Sequence, residues 1–161
     1  MTTIDEAALH VLRTCEKWEV EVWVDKLAAW DVWFTGTFRW PVFRVDVASG
    51  ITERFMAHNV PARPVFYAVE WHPGGHGCHV HALIASSGSC YRSGLWRAWF
   101  GRYGRARVEP VRHADQVSSY CAKYCVKQAF SKGWWNALNC VQGVFPGGAS
   151  GLLTRSLTKR S

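Results

Sequence analysis

Two short apolar segments joined by a glycine-rich loop constrain the fold of this chain more than any other feature. Residues 65–71 read Val-Phe-Tyr-Ala-Val-Glu-Trp, and residues 78–85 read Cys-His-Val-His-Ala-Leu-Ile-Ala. Segments of this length and composition, bounded by glycine and proline, are typical of β-strands. Because only the loop His72-Pro-Gly-Gly-His-Gly77 separates them, the pattern predicts an antiparallel hairpin.

The rest of the chain predicts further strands and helices around this hairpin. We expect strands at residues 32–39 and 106–112, and helices at residues 49–60, 92–103 and 114–129. Ser49 or Thr52 is the expected N-cap of the first of these helices. Residues 5–30 read as mainly helical. The order β-α-β-β-α-β predicts an α+β fold of the ferredoxin-like or split βαβ type, an antiparallel sheet with helices packed on it.

Length and composition set the organisation of the chain. It has 161 residues, of which 48% are hydrophobic and 19% charged, which suits one domain with a packed core. We divide it into a mainly helical N-terminal extension (1–31), a main domain (32–142) and a basic tail rich in glycine and serine (143–161). Asp5 and Glu6 stand where a signal peptide would be basic or apolar, and no apolar run is long enough to span a membrane. We therefore expect no membrane association and a cytoplasmic location.

The six cysteines predict a reducing compartment. None of them forms a CxxC pair, and Cys121 and Cys125 lie four residues apart. This pair lacks two further ligands at a spacing typical of zinc sites. We therefore expect the cysteines to be small buried hydrophobic residues.

Charge and aromatic content favour a polyanionic partner. The net charge is +7, and the chain contains ten tryptophans. Arginines crowd residues 92–112, where Glu109 is the only carboxylate. Arginine interleaved with tryptophan suits single-stranded nucleic acid, whereas a solvated basic face and core tryptophans are the ordinary alternatives. The predicted nucleic-acid-binding residues are Arg92, Trp96, Arg97, Trp99, Arg102, Arg105 and Arg107.

The histidines of the second hairpin strand indicate a metal site. Alternation along a strand places His79 and His81 on one face and the apolar residues between them on the other. In a tight hairpin, Glu70 shares that face and lies opposite one of the two histidines. Two imidazoles and a carboxylate could hold one divalent ion, Mg²⁺ or Mn²⁺ as well as Zn²⁺. His72 and His76 are alternative ligands in the loop, and a histidine pair on a strand is often only structural.

A tandem repeat of Tyr-Cys-x-Lys occupies residues 120–127. On the predicted helix, Tyr120, Lys123, Tyr124 and Lys127 fall at positions i, i+3, i+4 and i+7 and share one face. An ordinary amphipathic helix explains the lysines but explains two tyrosines on the polar side less well. Beside a divalent ion that polarises a phosphate, a tyrosine hydroxyl could attack a phosphodiester while a lysine neutralises the developing charge.

Three motifs together resemble the HUH endonuclease domain of rolling-circle replication initiators, the Rep proteins. Phe34-Thr35-Gly36-Thr37-Phe38 is similar to the first motif of that family, a strand. His79-Val80-His81 is similar to the metal-binding second motif, and residues 120–127 are similar to the nucleophile helix of the third. The doubled tyrosine resembles the two-tyrosine group found in small single-stranded DNA phages and some plasmids. The resemblance spans residues 32–128.

The resemblance implies a fold and an activity. Residues 32–142 would form an HUH endonuclease domain with the HUH strand at the centre of the sheet. With Mg²⁺ or Mn²⁺, the domain would nick and rejoin single-stranded DNA at an origin, often a hairpin, leaving a 5′-phosphotyrosine and a free 3′-OH. The implied site residues are the ligands Glu70, His79 and His81, the nucleophiles Tyr120 and Tyr124, and the companion lysines Lys123 and Lys127.

Partners and competing functions follow from the same comparison. The sequence contains no Walker A motif, so unwinding is expected from another protein or from a missing segment. A host or separate helicase and a polymerase are expected partners of a phage- or plasmid-encoded protein in a bacterial cytoplasm. A non-catalytic single-stranded nucleic-acid binding module is the main alternative, although it uses neither the tyrosines nor the histidine pair. A structural zinc protein that uses Cys78, His79 and His81 is a third reading, which strand alternation disfavours because Cys78 faces away from His79.

Overall fold

An antiparallel sheet with helices packed on it organises the part of the chain that the structure describes. The computed structural model describes residues 22, 24–72, 74–86, 88, 92–113 and 134–138. Its helices and strands are β1 (Val32–Thr37), α1 (Val45–Asn59), β2 (Val65–Trp71), β3 (Cys78–Ile84), α2 (Arg92–Arg102), β4 (Ala106–Pro110) and β5 (Trp134–Leu138). Residues 24–27 are also helical.

The five strands form one sheet in the order β4-β1-β3-β2-β5. Every neighbouring pair is antiparallel. The predicted α+β class, the hairpin of β2 and β3 and the central position of the His-x-His strand are thereby confirmed. The order β-α-β-β-α-β is also observed, while the ferredoxin-like assignment stays a prediction. Strand β5, which pairs with β2, is not predicted by the sequence pattern.

The start of α1 differs from the prediction. The helix begins at Val45 with Arg44 as its N-cap, so Ser49 and Thr52 lie inside it and are buried. The Thr52 hydroxyl donates to the carbonyl of Ala48, one turn back, at 2.8 Å. Serine and threonine can form hydrogen bonds to the backbone within a helix as well as at its N-terminus. For this reason Ser49 and Thr52 were wrongly predicted to be the N-cap.

The core between the sheet and the helices is built around Trp99. This residue is fully buried, and its ring lies 5.2 Å from Phe34 and 5.0 Å from Phe55, measured between centroids. A Cβ atom on Gly36 would lie 2.6 Å from the Trp99 ring, so glycine in β1 makes room for it. The prediction that Trp99 binds nucleic acid is therefore wrong, because a ring enclosed in the core cannot stack on a base. Trp96, on the same helix, is 40% exposed.

The loop after β1 is fastened to the start of β3. The amide of Cys78 donates to the carbonyl of Val42 at 2.7 Å. Gly77 adopts a φ of +83°, and a Cβ atom there would lie 2.8 Å from the Val42 carbonyl oxygen. Residues 38–44 therefore lie against the end of the β2–β3 hairpin.

The segment before β1 belongs to the same folded unit. Val24, Leu27 and Trp30 are buried, and the Trp30 indole donates to the carbonyl of Val24 at 2.9 Å. The Asp31 carboxylate accepts hydrogen bonds from the amide and the hydroxyl of Ser86, both at 2.7 Å. The predicted helix over residues 5–30 ends at residue 27 in the described chain.

Several predictions lie outside the described residues. These are the helix at 114–129, with Tyr120, Lys123, Tyr124 and Lys127, the basic tail at 143–161, and most of the N-terminal extension. Among the helices that are described, none combines the length and the apolar character needed to cross a membrane.

Candidate metal centre

Strand pairing brings the three predicted ligands together. Glu70 in β2 lies directly opposite His79 in β3, and His81 follows two residues later on the same face. The intervening Val80 and the flanking Cys78 point the other way, into the core beneath the helices. The alternation predicted for this strand is confirmed. Among the described residues, Glu70, His79 and His81 form a cluster that could bind a metal ion.

The ligand atoms converge within a small volume. The Glu70 Oε2 atom lies 3.4 Å from His79 Nε2 and 3.7 Å from His81 Nε2. All three ligand atoms lie within 4.8 Å of one another. The side chains keep 15%, 12% and 9% exposure for Glu70, His79 and His81, respectively. The cluster is therefore nearly enclosed but still open to an entering ion.

These distances suit a shared ion better than a direct ion pair. Charge-assisted hydrogen bonds between nitrogen and oxygen are about 2.7–2.9 Å long, shorter than both distances to Glu70. Two ligands about 2.1 Å from the same ion, at an angle of about 90–110°, are about 3.0–3.4 Å apart. Small side-chain adjustments would bring all three atoms into one coordination sphere. Three protein ligands also leave positions for substrate oxygens or water.

His81 is held in the neutral form that a metal ligand requires. Burial, and next the neighbouring His79, lower the pKa of His81 to about 3. Its Nδ1 atom lies 3.4 Å from the Thr35 hydroxyl, and Thr35 is the direct partner of His81 across β1 and β3. A proton on Nδ1 that is directed at Thr35 leaves the Nε2 lone pair for an ion. In that tautomer Thr35 orients a candidate ligand, a role that the sequence analysis did not assign.

The alternative ligand sets fit less well. His72 and His76 are exposed, with their ring centroids 5.3 Å apart. The Nδ1 atom of His72 accepts a hydrogen bond from the amide of Gly74 at 3.1 Å, and neither loop histidine joins the cluster described above. Cys78 is buried on the opposite face, and burial raises the pKa of its thiol, so the zinc site with Cys78 is disfavoured.

The predicted basic residues divide between the two sides of the sheet. Arg107 in β4 pairs with Thr35 and therefore shares the face of the metal cluster, and Arg105 immediately precedes that strand. Arg107 also forms a 2.9 Å ion pair with Glu109. The basic residues of α2, on the helix side, are exposed; they are Arg92, Arg97 and Arg102.

The geometry gives a nearly enclosed set of two imidazoles and one carboxylate on the central strand β3 and its neighbour β2. The paired tyrosines and lysines that the sequence placed beside it lie outside the described residues. Comparison of the chain with protein-family models, with curated protein sequences and with solved structures finds no match. Any function assigned to this chain therefore depends on its own residues and on the geometry of this site.

Proposed function

We propose that this protein is a metal-dependent endonuclease and strand transferase that nicks and rejoins single-stranded DNA at a replication origin. The observation that carries the proposal is the cluster of Glu70, His79 and His81 on the central strand β3 and its neighbour β2. The sequence supplies the second element, the tandem tyrosine and lysine motif at residues 120–127. Neither element alone specifies this reaction, but a metal site and a paired tyrosine serve the same phosphodiester chemistry.

The three ligands would hold one divalent ion. When bound, such an ion polarises a non-bridging phosphate oxygen and orients the phosphodiester. Two imidazoles beside one carboxylate favour Mn²⁺ over Mg²⁺, because Mg²⁺ prefers a shell of oxygen atoms. We therefore propose Mn²⁺ as the better ion and Mg²⁺ as one that the site tolerates.

The tyrosines would carry the covalent step. The hydroxyl oxygen of Tyr120 or Tyr124 releases its proton to solvent, attacks phosphorus and forms a new phosphotyrosine bond. The bond from phosphorus to the 3′ oxygen breaks, and the leaving oxygen takes up a proton to become a free 3′-OH. Lys123 and Lys127 neutralise the charge that develops on the phosphate. Because one phosphodiester replaces another, a second DNA end can reverse the step without ATP.

Charge on the site face supports a DNA strand as the substrate. Arg107 lies on the same face as the metal cluster, on the edge strand β4, and Arg105 immediately precedes that strand. Both arginines are exposed. A net charge of +7 attracts a polyanion over several ångströms at moderate salt. A non-catalytic binding module would use the same charges, so only the chemistry separates the two functions.

A denaturing gel tests the chemistry directly. The protein is mixed with a labelled pool of partly randomised single-stranded DNA and Mn²⁺, and is then denatured in SDS. We expect an SDS-stable protein–DNA band that requires metal. The band should disappear in His79→Ala and in the double variant Tyr120→Phe/Tyr124→Phe, and the single tyrosine variants identify the leading nucleophile. His76→Ala is the matched control, because this histidine lies outside the cluster.

Three results would overturn the proposal. A band that persists in the double tyrosine variant would remove the tyrosines from the reaction. Tight binding without any adduct, on DNA selected from the pool for binding to this protein, would leave a binding module. A band that persists in His79→Ala but requires added Mn²⁺ would remove the cluster as the metal site.

A further inference from the structure

Exposed aromatic side chains are concentrated on one part of the surface. The described residues expose six large hydrophobic side chains, and four of them are aromatic rings. Trp40 is 77% exposed and Phe43 56%, both in the loop after β1. Phe100 is 45% exposed and Trp96 40%, both on α2. We call these four residues and Arg39 the aromatic band.

Contacts join the two halves of the aromatic band. The rings of Trp96 and Phe100 are stacked, with centroids 4.8 Å apart and planes within 12°. The Arg39 guanidinium donates to the Phe100 carbonyl at 3.0 Å, and Trp40 follows Arg39 in the chain. The start of the loop after β1 is therefore fixed against the C-terminal part of α2, and the Phe43 ring lies 6.1 Å from the Trp71 ring, measured between centroids.

The aromatic band ends beside the metal cluster. Thr37, the last residue of β1, lies directly opposite His79. Three residues span at most about 11 Å of extended chain, so Trp40 lies within that distance of the site face. The same loop is fastened to the first residue of β3 through the bond from the Cys78 amide to the Val42 carbonyl. The loop end of the band and the cluster thus lie at the same end of the sheet, where β1 ends and β3 begins.

The charge around the aromatic band selects its partner. Arg97 and Arg102 on α2 are exposed, and the Arg102 guanidinium lies 5.5 Å from the Tyr103 ring centroid. Asp46, a carboxylate close to the loop in sequence, is paired with Arg44. A second copy of this chain would bring its own +7 charge against the same surface. Exposed aromatic rings on the same helix as exposed arginines instead suit unpaired bases on a phosphate backbone.

We propose that the aromatic band is the track on which unpaired bases of a DNA single strand stack as the strand enters the metal centre. This inference rests on the function proposed above, and it names how the substrate strand is held. Trp40 and Phe43 serve as stacking platforms near the cluster, and Trp96 with Phe100 extends the track along α2. Duplex DNA is excluded as the preferred ligand, because its base faces are covered by neighbouring bases.

Binding without chemistry tests the track. Fluorescence anisotropy follows a labelled oligothymidylate of about 20 nucleotides, longer than the ~4–16-nucleotide sites of single-strand binding folds, with EDTA present. Trp40→Ala and Phe43→Ala should each weaken binding by about tenfold, since stacking contributes about 1–3 kcal/mol per base. Trp40→Phe should retain most of the affinity. Arg54→Ala, an exposed arginine about 14 Å along α1 from its first residue, is the matched control and should bind like the wild type.

Salt dependence separates stacking from charge. Trp40→Ala should lower the affinity without changing the slope of log K against log salt. Arg97→Ala should reduce that slope by about 0.7 if it contacts one phosphate. Circular dichroism and thermal melts establish that each variant is folded. Unchanged binding in folded Trp40→Ala and Phe43→Ala would overturn the proposal, and so would equal affinity for a duplex of the same length.

The outcomes distinguish this inference from the proposed function. If the wild type forms the phosphotyrosine adduct and Trp40→Ala binds the oligothymidylate as well as the wild type does, the proposed activity stands and the proposed track is overturned. If Trp40→Ala loses single-strand binding and the wild type never forms an adduct, the proposed track stands and the proposed nuclease activity is overturned. A dimer that dissociates in Trp40→Ala, seen by sedimentation, would assign the band to a second copy and overturn the track.

Discussion

The two faces of the sheet are made by the same strands and have opposite chemistry. On the helix side, Phe34 and Val80 join a core of buried apolar residues around Trp99. On the other side, Thr35 and His81 lie next to each other across β1 and β3. Because side chains alternate along a strand, a shift in register by one residue would exchange the two faces. Packing on the helix side therefore fixes the position of the metal ligands on the other.

The site face is itself divided. Phe66, Ala68 and Leu83 are fully or almost fully buried, although they share the face of the metal cluster. Glu70 and His79 retain partial exposure at the end of the hairpin. The cluster thus lies where a buried apolar region meets solvent. At this partly buried position the local dielectric constant is lower than in water, which strengthens electrostatic interactions. The cluster nevertheless stays open to solvent on one side.

Removal of the central core ring should produce the largest effect. Trp99→Ala is expected to lower the free energy of unfolding by about 3–5 kcal/mol, because the large side chain leaves a cavity. Urea denaturation measures the loss. Trp96→Ala, on the exposed side of the same helix, should cost less than about 1 kcal/mol. Equal losses in the two variants would contradict the assignment of Trp99 to the core and Trp96 to the surface.

Metal binding should stabilise the protein only through the cluster of Glu70, His79 and His81. Mn²⁺ at about 100 times its dissociation constant should add about 2.7 kcal/mol to the free energy of unfolding. The increase, read as a rise in Tm, should be absent in His79→Ala and present in His76→Ala. Stabilisation that survives in His79→Ala, or that fails in His76→Ala, would place the ion elsewhere.

Acid should destabilise the metal-free protein through His81. Its pKa falls from 6.5 to about 3 on folding, so the unfolded chain binds a proton that the folded chain does not. The stabilisation is complete above about pH 6.5 and is lost as the pH falls towards about 3. In EDTA, wild type should therefore lose more stability than His81→Gln as the pH falls through that window. Equal losses in the two proteins would show that His81 is not held neutral.

The smallest expected effect tests the contact between β1 and the ligand. Thr35→Val removes the hydroxyl beside His81 Nδ1 and keeps the shape of the side chain. We expect about tenfold weaker Mn²⁺ binding by titration calorimetry, the lower end of the range for residues that orient metal ligands. Thr37→Val, an exposed site on the same strand, should change the affinity less. Equal losses of Mn²⁺ affinity in the two variants would show that any change in β1 weakens binding, and that the Thr35 hydroxyl has no specific role.

Sequence reasoning succeeded where the relevant contacts are local. Glu70 and His79 are nine residues apart, so the hairpin alone predicted their pairing. Thr35 and His81 are 46 residues apart in the sequence. A local sequence pattern therefore cannot predict that they lie opposite each other. Trp96 and Trp99 are equally aromatic in the sequence, and only the packing of α2 separates the surface ring from the core ring. Strand β5 was missed for a similar reason, because its pairing with β2 is long-range.

The position of all three ligands within one hairpin has a consequence for folding. Glu70, His79 and His81 lie within twelve consecutive residues, so bringing them together closes only a short loop at a small entropic cost. Isolated hairpins form in about 1–10 μs, much faster than sheets that depend on distant strands. The ligand set is therefore assembled by one of the most local events in folding, and β1 completes it afterwards by adding Thr35.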